Sequence, residues 1–187
     1  MAAPHTPEFV TPLVALLYGQ EAHYAPVKAA LEAAYGPVDL ESEAFPFDRT
    51  EYYEPQMGKG LKRRFFTFAR KRDPAELVAW KLESNELEAR FALEWTETVS
   101  PSLPTTAAPR VLRPVNIDPG YITAAKLVLA STKDFAHRIY MRDGIYAEIT
   151  LMHRKTGWVS HDFTFPDFKA PTYHAFLDAA RARHMKG

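Results

Sequence analysis

The chain predicts an α+β fold: a two-layer sandwich with a ferredoxin-like β-α-β-β-α-β core, extended by an antiparallel β-meander and a C-terminal helix. Three features predict it: a continuous apolar run near the start, a fully capped amphipathic helix in the middle, and alternating hairpin patterns in the last third.

The run VTPLVALLY, Val10 to Tyr18, has no polar alternation and stops at Gly19, the pattern of a strand buried on both faces. It predicts the central strand. Tyr24, Val27, Leu31 and Ala34 then recur at helical spacing, with Pro26 tolerable in a first turn and Gly36-Pro37 as the stop. Val38 to Phe45 predicts a second strand, an irregular stretch runs through TEYYEPQMGKG, and Leu61 to Ala69 predicts a third. Asp73-Pro74-Ala75-Glu76 supplies an N-cap, a proline at N1 and a capping-box glutamate at N3, after which Leu77, Trp80, Ser84, Leu87 and Phe91 line one helix face. Four prolines between Thr96 and Pro114 predict a surface loop inside one globular domain spanning residues 1–187, with residues 1–8 as a flexible N-terminus.

KLVLAS, Lys126 to Ser131, fits a strand or a short helix, and the strand reading suits the meander. For the next hairpin, alternation puts Ile139, Met141, Ile145, Ala147, Ile149 and Leu151 on one buried face. That requires a three-residue Arg142-Asp143-Gly144 loop with Gly144 left-handed, pairing Met141 with Ile145, Ile139 with Ala147 and Arg138 with Glu148. The opposite face then carries Arg138, Tyr140, Tyr146, Glu148, Thr150 and, beyond Lys155-Thr156-Gly157, Trp158 and Ser160. Tyr173, Phe176, Leu177 and Ala180 make an amphipathic last helix behind Pro171.

Composition narrows the function classes. The absence of cysteine removes disulfide scaffolds, thiolate metal sites and cysteine nucleophiles, and fits a reducing, cytoplasmic setting. No basic n-region precedes an apolar core at the N-terminus, and no apolar run approaches the roughly 18 residues of a membrane span. The zero net charge gives nucleic-acid binding no support from the total, although residues 1–100 carry 11 Lys/Arg against 16 Asp/Glu and residues 101–187 carry 12 against 7. The glycines form neither a P-loop nor a dinucleotide fingerprint, and no HExxH, GxSxG or CxxC occurs.

At Asp118-Pro119-Gly120-Tyr121 the chain resembles a known family. FPFDRTEYYEPQMG at 45–58, LKRRFFTF at 61–68, NIDPGY at 116–121, KLVLASTKDFAHRIY at 126–140, GIYAE at 144–148 and FTFPDF at 163–168 are similar to the prokaryotic family called domain of unknown function 4416, whose hallmark is a DPGY motif. The resemblance implies membership over nearly the whole length and no particular activity.

The residues themselves suggest where a site lies. Pro119-Gly120 reads as a turn with Asp118 accepting from the amides beyond it; the functional alternative makes Asp118 a strand-end carboxylate that holds magnesium through water. The leading expectation is a pocket for a small phosphorylated or nucleotide-like ligand. Its ligand-binding candidates are Lys126, Lys133, Arg138, Tyr121 and Tyr146, its catalytic candidates Asp118, His137 and Glu148, and its metal candidates Asp48, Glu54 and Asp118. His137 beside Arg138 suits a neutral base, and Arg138 opposite Glu148 suits a cross-strand pair. Of the adjacent cations Lys62, Arg63 and Arg64, which point to both faces of a strand, one is expected to neutralise the acids before it. The alternative is a non-catalytic binding module whose Arg138, Tyr140, Tyr146 and Trp158 face takes single-stranded RNA or a protein partner, a second copy included.

Overall fold

The computed structural model describes residues 3–97 and 112–186. Among these, nine strands form one antiparallel sheet, accompanied by four α-helices. In chain order they are β1 (Thr11–Tyr18), α1 (Tyr24–Tyr35), β2 (Val38–Glu41), β3 (Phe45–Pro46), α2 (Glu54–Met57), β4 (Lys62–Phe68), α3 (Leu77–Glu97), β5 (Val115–Ile122), β6 (Lys126–Ser131), β7 (Arg138–Arg142), β8 (Ile145–Arg154), β9 (Gly157–Val159) and α4 (His174–Lys186). The sheet order is β2-β4-β1-β5-β6-β8-β7, with β3 on β4 and β9 on β8.

Strand β1 is buried along its whole length, as its unbroken apolar run requires. Its side chains divide between two layers. Val14, Leu16 and Tyr18 pack with Val27 and Leu31 of α1 and with Leu77, Trp80 and Phe91 of α3. Leu13 and Ala15 face the other way, onto Phe176, Leu177 and Ala180 of α4 and onto Phe168 and Tyr173 just before it. Helices therefore cover both faces, and the expected two layers become three because α4 folds back over the side left open by α1 and α3.

The capping box forms as predicted: the Asp73 carboxylate accepts from the Ala75 amide at 2.9 Å, and Glu76 accepts from the Asp73 amide at 3.3 Å. A single 3-10 turn, Pro74–Glu76, precedes α3. The helix extends to Glu97, two residues into the stretch expected to be a loop; residues 98–111 of that stretch lie outside the described residues. The second strand is also interrupted, ending at Glu41 and resuming as β3.

Two corrections concern the meander. The β7–β8 register pairs Arg138 with Glu148 and Ile139 with Ala147 as expected, but Arg142 meets Ile145, so Asp143-Gly144 is a two-residue turn and Met141 is bulged out. Asp143 and Gly144 both have positive φ, 54° and 74°, the geometry a two-residue hairpin turn needs. The bulge absorbs the one-residue mismatch that a three-residue loop was expected to remove.

The buried face also differs from expectation. Ile145 is buried on the α3 side and Ala147 packs against that cluster, but Ile139 is 68% exposed, and Met141 and Ile149 are exposed with it. Between Leu127 and Val128 the β6–β8 register slips past Thr150, which carries Leu151 to the α4 side. Glu148, Thr150 and Trp158, expected on an open face, are instead buried. The segment from His161 covers them: Thr164 donates to the Thr150 carbonyl at 2.9 Å, and the Trp158 indole donates to Asp178 of α4 at 2.9 Å.

A candidate anion-binding cleft at a split in the sheet

The sequence NIDPGY is a strand, not a turn. All six residues lie in β5, and Asn116 to Tyr121 pair with Leu17 to Pro12 of β1. On its other side β5 pairs with β6 only from Gly120 to Ile122. The two strands separate below Gly120.

Asp118, Pro119 and Gly120 of DPGY each suit this fork. A Cβ on Gly120 would lie 2.1 Å from the Val128 carbonyl oxygen, so only glycine lets β6 approach where the seam closes. Pro119 occupies the first position below the seam, where it brings no N–H needing a partner. Ile117 does have polar backbone groups facing the gap, and side chains of α3 satisfy them: Lys81 donates to its carbonyl at 3.0 Å, and Glu88 accepts from its amide at 2.7 Å. Lys81 also reaches the Asp118 carboxylate at 3.2 Å. Because Asp118 pairs with Ala15 and so faces the α4 side, Lys81 spans the split from one face of the sheet to the other.

Over this fork, on the α4 side, lies a cleft of about 460 Å³. Its walls include Arg63, Lys81, Arg113, Lys133 and Arg138 against the carboxylates of Asp118 and Glu148. With Asp167 behind Arg63 and Glu88 behind Arg113, five cations meet four carboxylates around it. Arg63 is 2% exposed, held by Asp167 at 3.1 Å, with Asp118 at 3.8 Å and the ring centres of Phe47 and Phe168 5.2 and 5.7 Å from its guanidinium carbon. Arg113 is bound by Glu88 and Asn116, and Asn116 donates to Asp118. Aromatic rings frame the opening: Tyr52 and Tyr53 on one side, Phe135 and Phe163 on the other, with the Lys133 ammonium hydrogen-bonded to the Tyr52 hydroxyl.

Burial by itself would raise the Asp118 carboxyl, but Lys81, Arg63 and the Asn116 amide outweigh it and hold the group below the usual aspartate range. Asp167 goes the other way: burial raises it despite the pull of Arg63. Burial likewise raises Glu88 against Lys81 and Arg113, and it raises the Tyr53 hydroxyl with help from the Asp118 charge. Three nitrogens in the cleft wall are buried without a hydrogen-bond partner: Arg63 Nε, Arg63 Nη1 and His137 Nδ1. Each such group costs about 1–3 kcal/mol when left unsatisfied, which a suitably placed ligand atom relieves.

Of the expected site residues, Asp118, Lys133, His137, Arg138 and Glu148 meet in this one cleft. Glu148 gathers the last of them: it accepts from His137 Nε2 at 2.9 Å, from Arg138 Nε at 2.7 Å and from Thr150 at 3.2 Å. His137 was expected to sit among cations, yet the charged group it bonds is this carboxylate.

Three expected residues lie elsewhere. Tyr121 points to the α3 side and packs on that core; Lys126 is paired with Met152 at the far end of β6; Tyr146 meets Tyr140 edge-on outside the cleft wall. Asp48 and Glu54 line a separate hollow of about 390 Å³ and do not approach Asp118 there. Among the described residues, no group of three or more His, Asp or Glu side chains is placed to hold a metal ion. Of the adjacent cations, Lys62 binds Glu21, Arg64 binds Glu41, and Arg63 turns inward to Asp167 and Asp118, not to the acids preceding it.

Sequence reasoning missed Arg63, Lys81, Glu88 and Arg113. Lys81 and Glu88 had a readable sign: they interrupt the apolar stripe of α3, where Leu77, Lys81, Ser84, Glu88 and Phe91 share helical spacing. Arg113 had none, lying at the edge of a proline-rich stretch.

A family model described as Domain of unknown function (DUF4416) matches residues 8–184. The chain belongs to this family. Neither a curated protein nor a solved structure matches it. Among the described residues, no helix of this family member is long and apolar enough to cross a membrane.

Proposed function

We propose that the cleft at the β5–β6 fork binds a small phosphorylated or nucleotide-like ligand. The observation that carries this reading is the convergence of five Lys/Arg on its wall, of which Lys133 bonds the Tyr52 hydroxyl and no carboxylate among the described residues, with half-exposed Tyr52, Phe135 and Phe163 available to a flat ring at the opening. Arg63 Nε, buried without a hydrogen-bond partner, and Nη1, which has only Asp118 at 3.8 Å, support it further as donors the chain leaves unsatisfied. A magnesium ion in this reading comes with the ligand's phosphates, beside Asp118. The order β2-β4-β1-β5, with antiparallel neighbours and helices α1 and α3 as the connections, supports a ferredoxin-like core within one domain.

A thermal-shift series with nucleotides and phosphorylated metabolites, each with and without magnesium, tests the proposal on the wild type, Lys133→Ala and Arg138→Ala. A ligand at 100 times its dissociation constant adds about 2.7 kcal/mol to stability, and both variants are expected to reduce the shift. Undiminished affinity in both variants would falsify it.

A second reading rests on strand β7, which ends the sheet and exposes Ile139 and Tyr140 at 68% and 58%. An open apolar edge strand suits a protein partner or a second copy of the chain. RNA stacking is disfavoured, because Trp158 lies under α4 and the aromatic face shrinks to Tyr140 and Tyr146. Molar mass in solution, measured over a concentration series, distinguishes self-association from a monomer.

A further inference from the structure

We infer that the ligand of this cleft is a singly charged phosphate diester carrying a flat ring, and that Lys133 is the residue that sets the charge it accepts. The inference rests on the anion-binding reading above and narrows it to one class of phosphate.

Charge pairing in the wall is the starting point. Four of the five cations already have a carboxylate: Arg63 has Asp167 at 3.1 Å, Lys81 has Asp118 at 3.2 Å, Arg113 has Glu88 at 2.6 Å and Arg138 has Glu148 at 2.7 Å. Arg63, Lys81, Glu148 and Asp167 are buried, and a buried charge holds its place only with its partner, so these pairs are closed. Counted with a neutral His137 imidazole, five positive charges against four negative leave one, and it belongs to Lys133. Lys133 is exposed at the opening. Among the described residues its ammonium donates only to the Tyr52 hydroxyl, which is neutral, so two of its three protons remain for a ligand.

A ligand with one negative charge completes that balance, whereas a second negative charge finds no cation of its own. Magnesium could supply one, but both carboxylates in the wall are committed: Asp118 to Lys81 and Asn116, Glu148 to His137, Arg138 and Thr150. A phosphate monoester carries about two charges at pH 8, because its second ionisation lies near pH 6, and a diester carries one. Donors for the two free oxygens of a diester come from the end of β6. Thr132 is exposed with its hydroxyl unpartnered among the described residues, and the Ser131 hydroxyl accepts from the Lys133 amide at 3.1 Å while keeping its own proton. Both line the cleft with Lys133, and Tyr52, Phe135 and Phe163 in the same wall offer their rings to the aromatic substituent.

The full chain is titrated by calorimetry at about pH 8 with two matched pairs: methyl phenyl phosphate against phenyl phosphate, and cyclic adenosine monophosphate against adenosine monophosphate. The diester of each pair is expected to bind about tenfold more tightly, with or without magnesium, as one unmatched charge near a surface implies. Lys133→Met keeps the aliphatic stem, removes the charge and is expected to weaken methyl phenyl phosphate about tenfold. Thr132→Lys places a second unpaired cation beside the first and is expected to tighten the monoesters, narrowing the gap in both pairs. Both positions are exposed, so the fold of each variant is expected to persist. Monoesters that match the diesters, alone or with magnesium, overturn the inference and leave the anion-binding reading standing. Undiminished diester binding by Lys133→Met, or an unchanged gap in Thr132→Lys, does the same. Failure of all four compounds to bind the wild type overturns the anion-binding reading and this inference with it.

Discussion

The two ends of the β5–β6 seam solve the same problem with different materials. From Gly120 to Ile122 the strands are hydrogen-bonded through their backbones, and the side chains around them, Leu127, Leu129 and Ile122, are free to be apolar. Below Gly120 the backbones part, and Ile117 finds its partners in a lysine and a glutamate from the neighbouring helix. Those two side chains bring charge into the interior, and further charge has to follow to compensate it: Asp118 for Lys81, Arg113 for Glu88. A break in backbone pairing thus becomes a concentration of paired charges, and the cleft lies over it.

Removing the plug should break this comparison most severely. Lys81→Met leaves Asp118 without its nearest cation and the Ile117 carbonyl without its donor, an expected loss of about 3–5 kcal/mol in urea denaturation. Adding Asp118→Asn to the same chain should recover part of that loss, because the neutral amide no longer needs the cation. Losses that simply add would show that the two groups are not coupled.

Gly120→Ala attacks the closed end instead. The new methyl would lie 2.1 Å from the Val128 oxygen, so β6 has to move, with an expected cost of about 1–3 kcal/mol and a lower midpoint in thermal unfolding. Hydrogen exchange sharpens the result: the amides of residues 127–129 should lose protection, while those pairing β1 with β4 keep theirs.

Acid separates two carboxylates that flank the same arginine. The folded Asp118 group lies below its ordinary value of 3.8, so its contribution is complete above that pH and is lost as the pH falls through the lower folded value. The folded Asp167 group lies above 3.8, so its contribution is present below that pH and is lost as the pH rises through the folded value. In denaturation series run at stepped acidic pH, Asp118→Asn should flatten the loss of stability and Asp167→Asn should steepen it. Equal slopes would remove the distinction.

The smallest effect is the control. Asp73→Ala removes the cap that leads into α3, outside the cleft wall, and should cost about 1 kcal/mol, with ligand-induced thermal shifts unchanged.

Legibility in the sequence followed the range of the forces involved. The α3 cap, the buried run of β1 and the amphipathic α4 rest on neighbours within a few residues, and those elements stand where the pattern puts them. The cross-strand pair of Arg138 with Glu148 was legible for the same reason, since two-residue alternation fixes it once the hairpin exists. Bulges at Met141 and Thr150 were not, because each answers to a partner strand: β8 in one case and β6 in the other. The Thr150 bulge moved Leu151 across the sheet, whereas Ile139 keeps its expected partner Ala147 and is exposed on the edge strand.

DPGY shows the same boundary at a single motif. Proline, glycine and aspartate together have the composition of a turn, and local preference is all that a stretch of four residues can express. In the folded protein, Pro119 lies where no N–H is needed, Gly120 where another strand comes too close for a side chain, and Asp118 where a lysine arrives from the far side of the sheet. From the sequence alone come the α+β class, the main helices and strands, and five of the ionisable residues that meet in the cleft. The tertiary structure alone decided that the sheet splits below Gly120, that α4 covers its second face, and that Arg63, Lys81, Glu88 and Arg113 complete the site. These depend on backbone groups and charges finding partners between 25 and 104 residues away, as in Arg113–Glu88 and Arg63–Asp167, and periodicity within one segment has no means of recording them.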